Sequence, residues 1–184
     1  MTLTSTPVWY AEYSTSASTL TDKIGGVPTY LPTSFPTSEM TGEELALMLE
    51  VFSENVPGLF DDLLCLQIYG PKDLDEPCRT PVLVPVLRGA RLNEKKQGTA
   101  CATLRPFQVK WRKSTEPVIL SHRIPPTKAE LQYYSTKLGG GSAIGDLPPG
   151  TESIGMLTEG EEGFNFGGTV VLLKRDGHYL AELL

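Results

Sequence analysis

The residue types best suited to nucleophilic, acid–base or metal chemistry are scarce in this chain. It holds two histidines, His122 and His178, and three cysteines, Cys65, Cys78 and Cys101. No CxxC pair occurs, the histidines are too far apart for an HExxH helix, and Cys and His never combine at zinc-ligand spacing. The stretch Gly139-Gly-Gly-Ser-Ala-Ile-Gly145 does not fit GxGxxG, and the chain has no phosphate-cradling GxxxxGK[ST] loop. Ile144 stands where a GxSxG nucleophile elbow needs its last glycine. Nothing local marks a lowered thiol pKa at Cys65 or Cys101, so a cysteine nucleophile with His122 or His178 as base is a minor reading. Cys65, inside Leu63-Leu-Cys-Leu66, reads as a buried, inert thiol. These residues point to no metal, no cofactor and no enzyme; an enzyme whose site no motif reveals is the rival reading.

Carboxylates remain. Asp61-Asp62, Asp73/Asp75/Glu76 and Glu159/Glu161/Glu162 fall in expected loops, where solvated turn carboxylates are the norm. Clustered loop acids also make a negative surface that steers and holds a basic partner. The net charge of −6 is unevenly spread: residues 1–87 balance to −9, residues 88–113 to +7 and residues 114–184 to −4. Nucleic-acid-binding domains usually read basic overall. The basic segment is therefore expected to pair with acidic neighbours on a solvated strand and loop, with phosphate contact as the alternative. The expected partner is another protein, basic in character, and neither a nucleic acid nor a membrane. No apolar run approaches the roughly 18–20 residues of a membrane span, and the first residues do not read as a signal peptide. Three cysteines without pairing pattern fit a reducing compartment, so the cytoplasm is expected.

A pair of motifs carries the strongest internal pattern. Thr21-Asp22-Lys23-Ile24-Gly25-Gly26 recurs as Ser135-Thr136-Lys137-Leu138-Gly139-Gly140. Either six residues echo by chance or the chain duplicates a unit. Paired glycines supply φ > 0 or a close backbone approach, so Gly25, Gly26, Gly139 and Gly140 are expected to be structural, with Lys23 and Lys137 on the surface.

Around these motifs the sequence suggests mostly strands. Val8–Tyr13, Leu63–Tyr69, Val82–Leu87, Leu104–Trp111, Pro117–Leu120, Ser153–Leu157, Thr169–Leu173 and Tyr179–Leu183 are rich in β-formers. Pro85 implies an edge or a bulge, and Lys174-Arg-Asp-Gly177 reads as a hairpin turn. Two helices are expected as well. Thr41-Gly-Glu-Glu44 has capping-box form, followed by Leu45, Met48, Leu49 and Phe52 at helical spacing, giving a helix over about 42–54; Thr127-Lys-Ala-Glu130 opens a shorter one. The fold class expected is α+β, mostly β. One domain of residues 1–184 is expected, with two imperfect repeats at about 1–120 and 121–184 if the echo marks a duplication.

The two Lys-aliphatic-Gly-Gly motifs, the first continuing into Val27-Pro28, resemble those of the bacterial YwqG family, related to the eukaryotic programmed-cell-death-two and Tsr ribosome-assembly proteins. Leu64-Cys-Leu-Gln-Ile-Tyr69 resembles that family's Leu-x-Gln-aliphatic strand, and Phe164-Asn-Phe-Gly-Gly-Thr-Val-Val-Leu-Leu173 its closing Phe-Gly-x-Gly strand. The second copy departs, with Gly139-Gly-Gly-Ser-Ala-Ile144 where the family tends to have Pro and an aromatic. The second half is also short, without a clear second Leu-x-Gln strand. The resemblance implies a duplicated, strand-rich α+β fold without catalytic residues. It also implies either an immunity protein that binds a cognate toxin or a chaperone for a basic client such as a ribosomal protein.

Overall fold

The computed structural model describes residues 5–14, 22–73, 80–104, 106–117, 135–141, 147–158, 166 and 168–184. Its strands, in chain order, are β1 (Ser5–Ser14), β2 (Lys23–Ile24), β3 (Ala46–Phe52), β4 (Leu63–Gly70), β5 (Val82–Leu87) and β6 (Thr99–Ala100). They continue with β7 (Phe107–Pro117), β8 (Lys137–Gly139), β9 (Thr151–Leu157), β10 (Val170–Arg175) and β11 (His178–Leu183). All join one sheet in the order β11-β10-β9-β8-β1-β7-β2-β3-β4-β5, with β6 paired to β3. The sheet curls until β11 and β5 touch, giving a nearly closed barrel.

This corrects the α+β expectation: among the described residues the helical content is one 3-10 turn, Ser53–Asn55. The helix expected over 42–54 is instead a tight turn followed by β3, every residue of which is buried. Ala46, Met48 and Val51 face the main core, whereas Leu45 and Leu47 join Tyr69 in a second cluster and Phe52 joins Cys65 and Val86 in a third. A bulge between Leu47 and Leu49 breaks the strict alternation. A strand buried on both faces is apolar at nearly every position, so its helix-like spacing is incidental. The supposed capping box closes a turn: the Glu43 amide donates to Thr41 Oγ1 at 3.3 Å, and Gly42 has φ 72°. The expected helix from Thr127 and the strand at 117–120 lie almost wholly outside the described residues.

The strand expectations fare better. Pro85 sits on β5, the end of the sheet order, where the missing N–H costs no ladder bond on the outer side. Asp176 and Gly177 (φ 50° and 81°) form the two-residue turn between β10 and β11, the conformation a type I′ hairpin demands. The central ladder is β1 against β7, in register from Ser5↔Pro117 to Ser14↔Gln108. One continuous apolar core fills the interior, drawing on Trp9, Ile24, Met48, Leu66, Val109, Leu138, Ile154 and Leu172 from strands all round the sheet. No helix among the described residues is long and apolar enough to cross a membrane.

Candidate functional site

The two glycine motifs fold alike. In each, the lysine and the aliphatic residue lie on a two- or three-residue strand, β2 or β8. Ile24 and Leu138 are buried, and all four glycines have φ between 69° and 82°. The residue before each lysine accepts a neighbouring-strand amide through its carbonyl: Val109 N–H to Asp22 at 2.7 Å, and Ala11 N–H to Thr136 at 3.1 Å. The sheet order is symmetric here, since β8 and β9 flank β1 as β2 and β3 flank β7.

The lysines each meet a carboxylate that the sequence reading missed. Lys23 stands opposite Glu50 of β3 in register, with Nζ 3.2 Å from Oε2. Glu50 is fully buried, yet well served: it accepts the Thr29 amide at 3.0 Å, the Thr29 hydroxyl at 2.5 Å and Gln67 Nε2 at 2.9 Å. Tyr69 in turn donates its hydroxyl to Gln67 Oε1 at 2.9 Å. Lys23 Nζ also donates to Thr29 Oγ1 at 2.8 Å, and its side chain keeps 26% exposure.

Lys137, expected on the surface, is buried at 1% exposure beside fully buried Glu116 of β7, with Nζ 2.6 Å from Oε2. Burial pulls the Lys137 ammonium below its ordinary pKa, and Glu116 opposes that shift. Glu116 also accepts the Gly141 amide at 2.9 Å and the Tyr10 hydroxyl. The residue opposite Lys137 on β9, where Glu50 stands in the first centre, is Met156.

Asp22 forms a third buried carboxylate. It accepts the Phe52 amide at 2.8 Å, Asn55 Nδ2 at 2.9 Å and the Trp111 indole N–H, tying β2 to β3, to the 3-10 turn and to β7. Burial pushes its carboxyl up to about 6, and Glu50 adds to the rise, against the lowering effect of the three donors. The same burial, with Glu50 and Asp22 nearby, pushes the Cys65 thiol up, so it is neither accessible nor thiolate-forming. Cys101 is buried beside the Thr103 hydroxyl, and His178 is exposed. Cys78 and His122 lie outside the described residues.

The acidic loop residues divide. Asp75, Glu76, Glu159, Glu161 and Glu162 lie outside the described residues. Asp61 and Asp62 are exposed in the loop before β4 and engaged within the fold. Asp61 Oδ1 accepts the Gly58 amide at 2.8 Å, and Asp62 lies 4.0 Å from Lys174. Asp73 is exposed and already has a partner.

A cationic groove, by contrast, is open. The turn after β5, Leu87-Arg-Gly-Ala90, borders a depression of about 420 Å³ lined also by Val86, Arg91, Leu31, Pro32 and Thr33. Arg88 borders this hollow and a smaller one of about 190 Å³ beside Tyr30, Phe52, Leu64 and Glu54. The outer cluster contributes Val86 and Ala90 to the larger hollow and Tyr30, Phe52 and Leu64 to the smaller. Leu87 is 65% exposed and Leu92, on the same loop, 50%.

No family model and no curated protein matches this chain.

Proposed function

We propose that the chain is a non-catalytic protein-binding module of the cytoplasm, acting as an immunity protein that occludes a cognate toxin. The observation that carries the binding reading is the groove beside β5. Leu87, 65% exposed, stands in solvent in a groove lined also by Arg88 and Arg91 at the margin of a packed sheet. Exposed apolar residues rimmed by charge are what a docking surface presents. Both Lys–Glu centres hold up the fold instead: Lys137 is sealed, and Lys23 is held by Glu50 and Thr29. The toxin assignment rests on the resemblance to the YwqG family and on the net charge of −6, which suits a basic partner. Asp75, Glu76, Glu159, Glu161 and Glu162 are the acids proposed to meet it.

Co-purification with a tagged chain, followed by titration of the recovered protein, tests this reading. A stoichiometric basic partner whose toxicity disappears on adding the chain supports it. A partner that only gains solubility points to a chaperone for a basic client, and turnover of a metabolite by the purified chain would refute a binding role.

A further inference from the structure

We infer that the groove lined by Leu31, Pro32, Thr33 and the Leu87–Arg91 turn takes an extended peptide segment of the partner in which acidic and aliphatic side chains alternate. This deepens the binding reading and rests on it, the segment being a local acidic stretch of a partner that is basic elsewhere. Arg91 is exposed and makes no side-chain hydrogen bond or ion pair among the described residues. Arg88 spends one N–H on the Asp61 carbonyl at 3.1 Å, leaving the rest of its five-donor fork for an anion. Lys95 and Lys96 follow on the same loop, exposed and also without an ion pair among the described residues. The same depression is lined by apolar surface from Leu31, Val86, Leu87 and Ala90. A planar fork beside an aliphatic floor complements a carboxylate flanked by aliphatic side chains. An extended strand sends alternate side chains to opposite faces, so its aliphatic side chains reach the floor while acids reach the arginines on the rim.

Glu54 borders the far hollow and repels an acid there, which favours seating the acids at the Arg88–Arg91 end. A nucleic acid fits less well. The Tyr30 ring packs edge-on against Phe52, with centroids 6.0 Å apart and planes at 72°, and is spent in the outer cluster where a base would need a free stacking face.

The probes are a fluorescein-labelled peptide Gly-Leu-Asp-Leu-Glu-Leu-Gly and its counterpart with Lys for both acids, titrated by anisotropy against the whole chain. Saturable binding of the acidic peptide is expected, with the lysine peptide at least about tenfold weaker, equivalent to roughly 1.4 kcal/mol. Arg91→Glu and Leu87→Asp should each weaken the acidic peptide about tenfold, whereas Lys113→Glu on β7 should change it less than about twofold. Thermal melts confirm that the variants fold, since all three positions are exposed. Equal binding of both peptides, indifference to Arg91→Glu, or displacement of the peptide by a single-stranded oligonucleotide in a salt-steep manner would overturn the inference. The two readings fail separately. A neutralised toxin still held by both groove variants sinks the groove alone, whereas groove-dependent peptide binding by a chain that turns over a metabolite sinks the immunity reading alone.

Discussion

The Lys23 and Lys137 centres share a backbone and differ in everything the backbone does not dictate. Each short strand carries a lysine, a buried aliphatic residue and two glycines with φ > 0. Yet Lys23 takes its carboxylate from β3, directly opposite, while Lys137 takes its own from β7, beyond the intervening β1. In the first centre the ammonium reaches solvent and the carboxylate has three further donors. In the second, ammonium and carboxylate are sealed together. A repeated motif can thus preserve a chain path while its ion pair is rebuilt from the opposite side.

The contrast is sharpest in the lysines. Lys137→Met should cost about 3–5 kcal/mol, because it leaves the buried Glu116 carboxylate short of its cation. Lys23→Met should cost only about 1–2 kcal/mol, since Glu50 keeps Thr29 and Gln67. Urea unfolding of both variants measures the gap, and equal losses would erase the distinction between a sealed and an open centre.

The glycines give the next largest difference. A Cβ on Gly140 would lie 2.5 Å from Glu116 Oε2, whereas one on Gly26 meets nothing closer than Pro106 at 3.7 Å. Both glycines have φ > 0, so Gly26→Ala carries the left-handed strain alone, about 1–2 kcal/mol, and Gly140→Ala adds a clash that should roughly double it. Thermal melts at matched pH compare them.

Acidity separates the centres too, because Asp22 of the first motif is matched by Thr136 in the second. A carboxyl raised from 3.8 to about 6 by folding binds its proton more tightly in the native state. Its contribution is therefore full below pH 4 and lost as the pH rises through 6, a decline of about 3 kcal/mol for one group. Asp22→Asn should flatten the stability profile between pH 4 and 7. It should be destabilising at pH 4, where it disturbs the Trp111 contact, and close to neutral at pH 7. An unchanged slope would remove Asp22 as its source. The smallest effect expected is Thr136→Val, about 1 kcal/mol, from losing the Thr158 amide bond at 3.2 Å.

Much of the sheet was legible because its strands announce themselves locally. Leu63–Tyr69 is a short apolar run between turn residues, and Asp176-Gly177 is a hairpin turn in two letters. β3 was not legible, since double-sided burial removes the alternation that identifies a strand. A signal was nonetheless present: Glu50 is the lone charge in Ala46-Leu-Met-Leu-Glu-Val-Phe52, and such a charge needs a buried partner. Lys137 was misjudged, and both carboxylate partners missed, because Glu50 and Glu116 are distant from the lysines in sequence and only the fold brings them near. Arg91 could be seen only as one base among eight in a positive segment. That no partner among the described residues pairs with it is a property of the folded loop.

The β1–β7 ladder sets the order in which this molecule can be made. Tyr10 and Glu116 are 106 positions apart, so β1 cannot find its partner until β7 has been made. Closing so long a loop is entropically costly and slows folding. During synthesis β3, β4 and β5 can zip as neighbours, whereas β1 waits with Val8, Trp9 and Tyr10 uncovered. The β3–β5 ladders can therefore form during synthesis before the β1–β7 ladder closes, and β1 stays uncovered until β7 follows it.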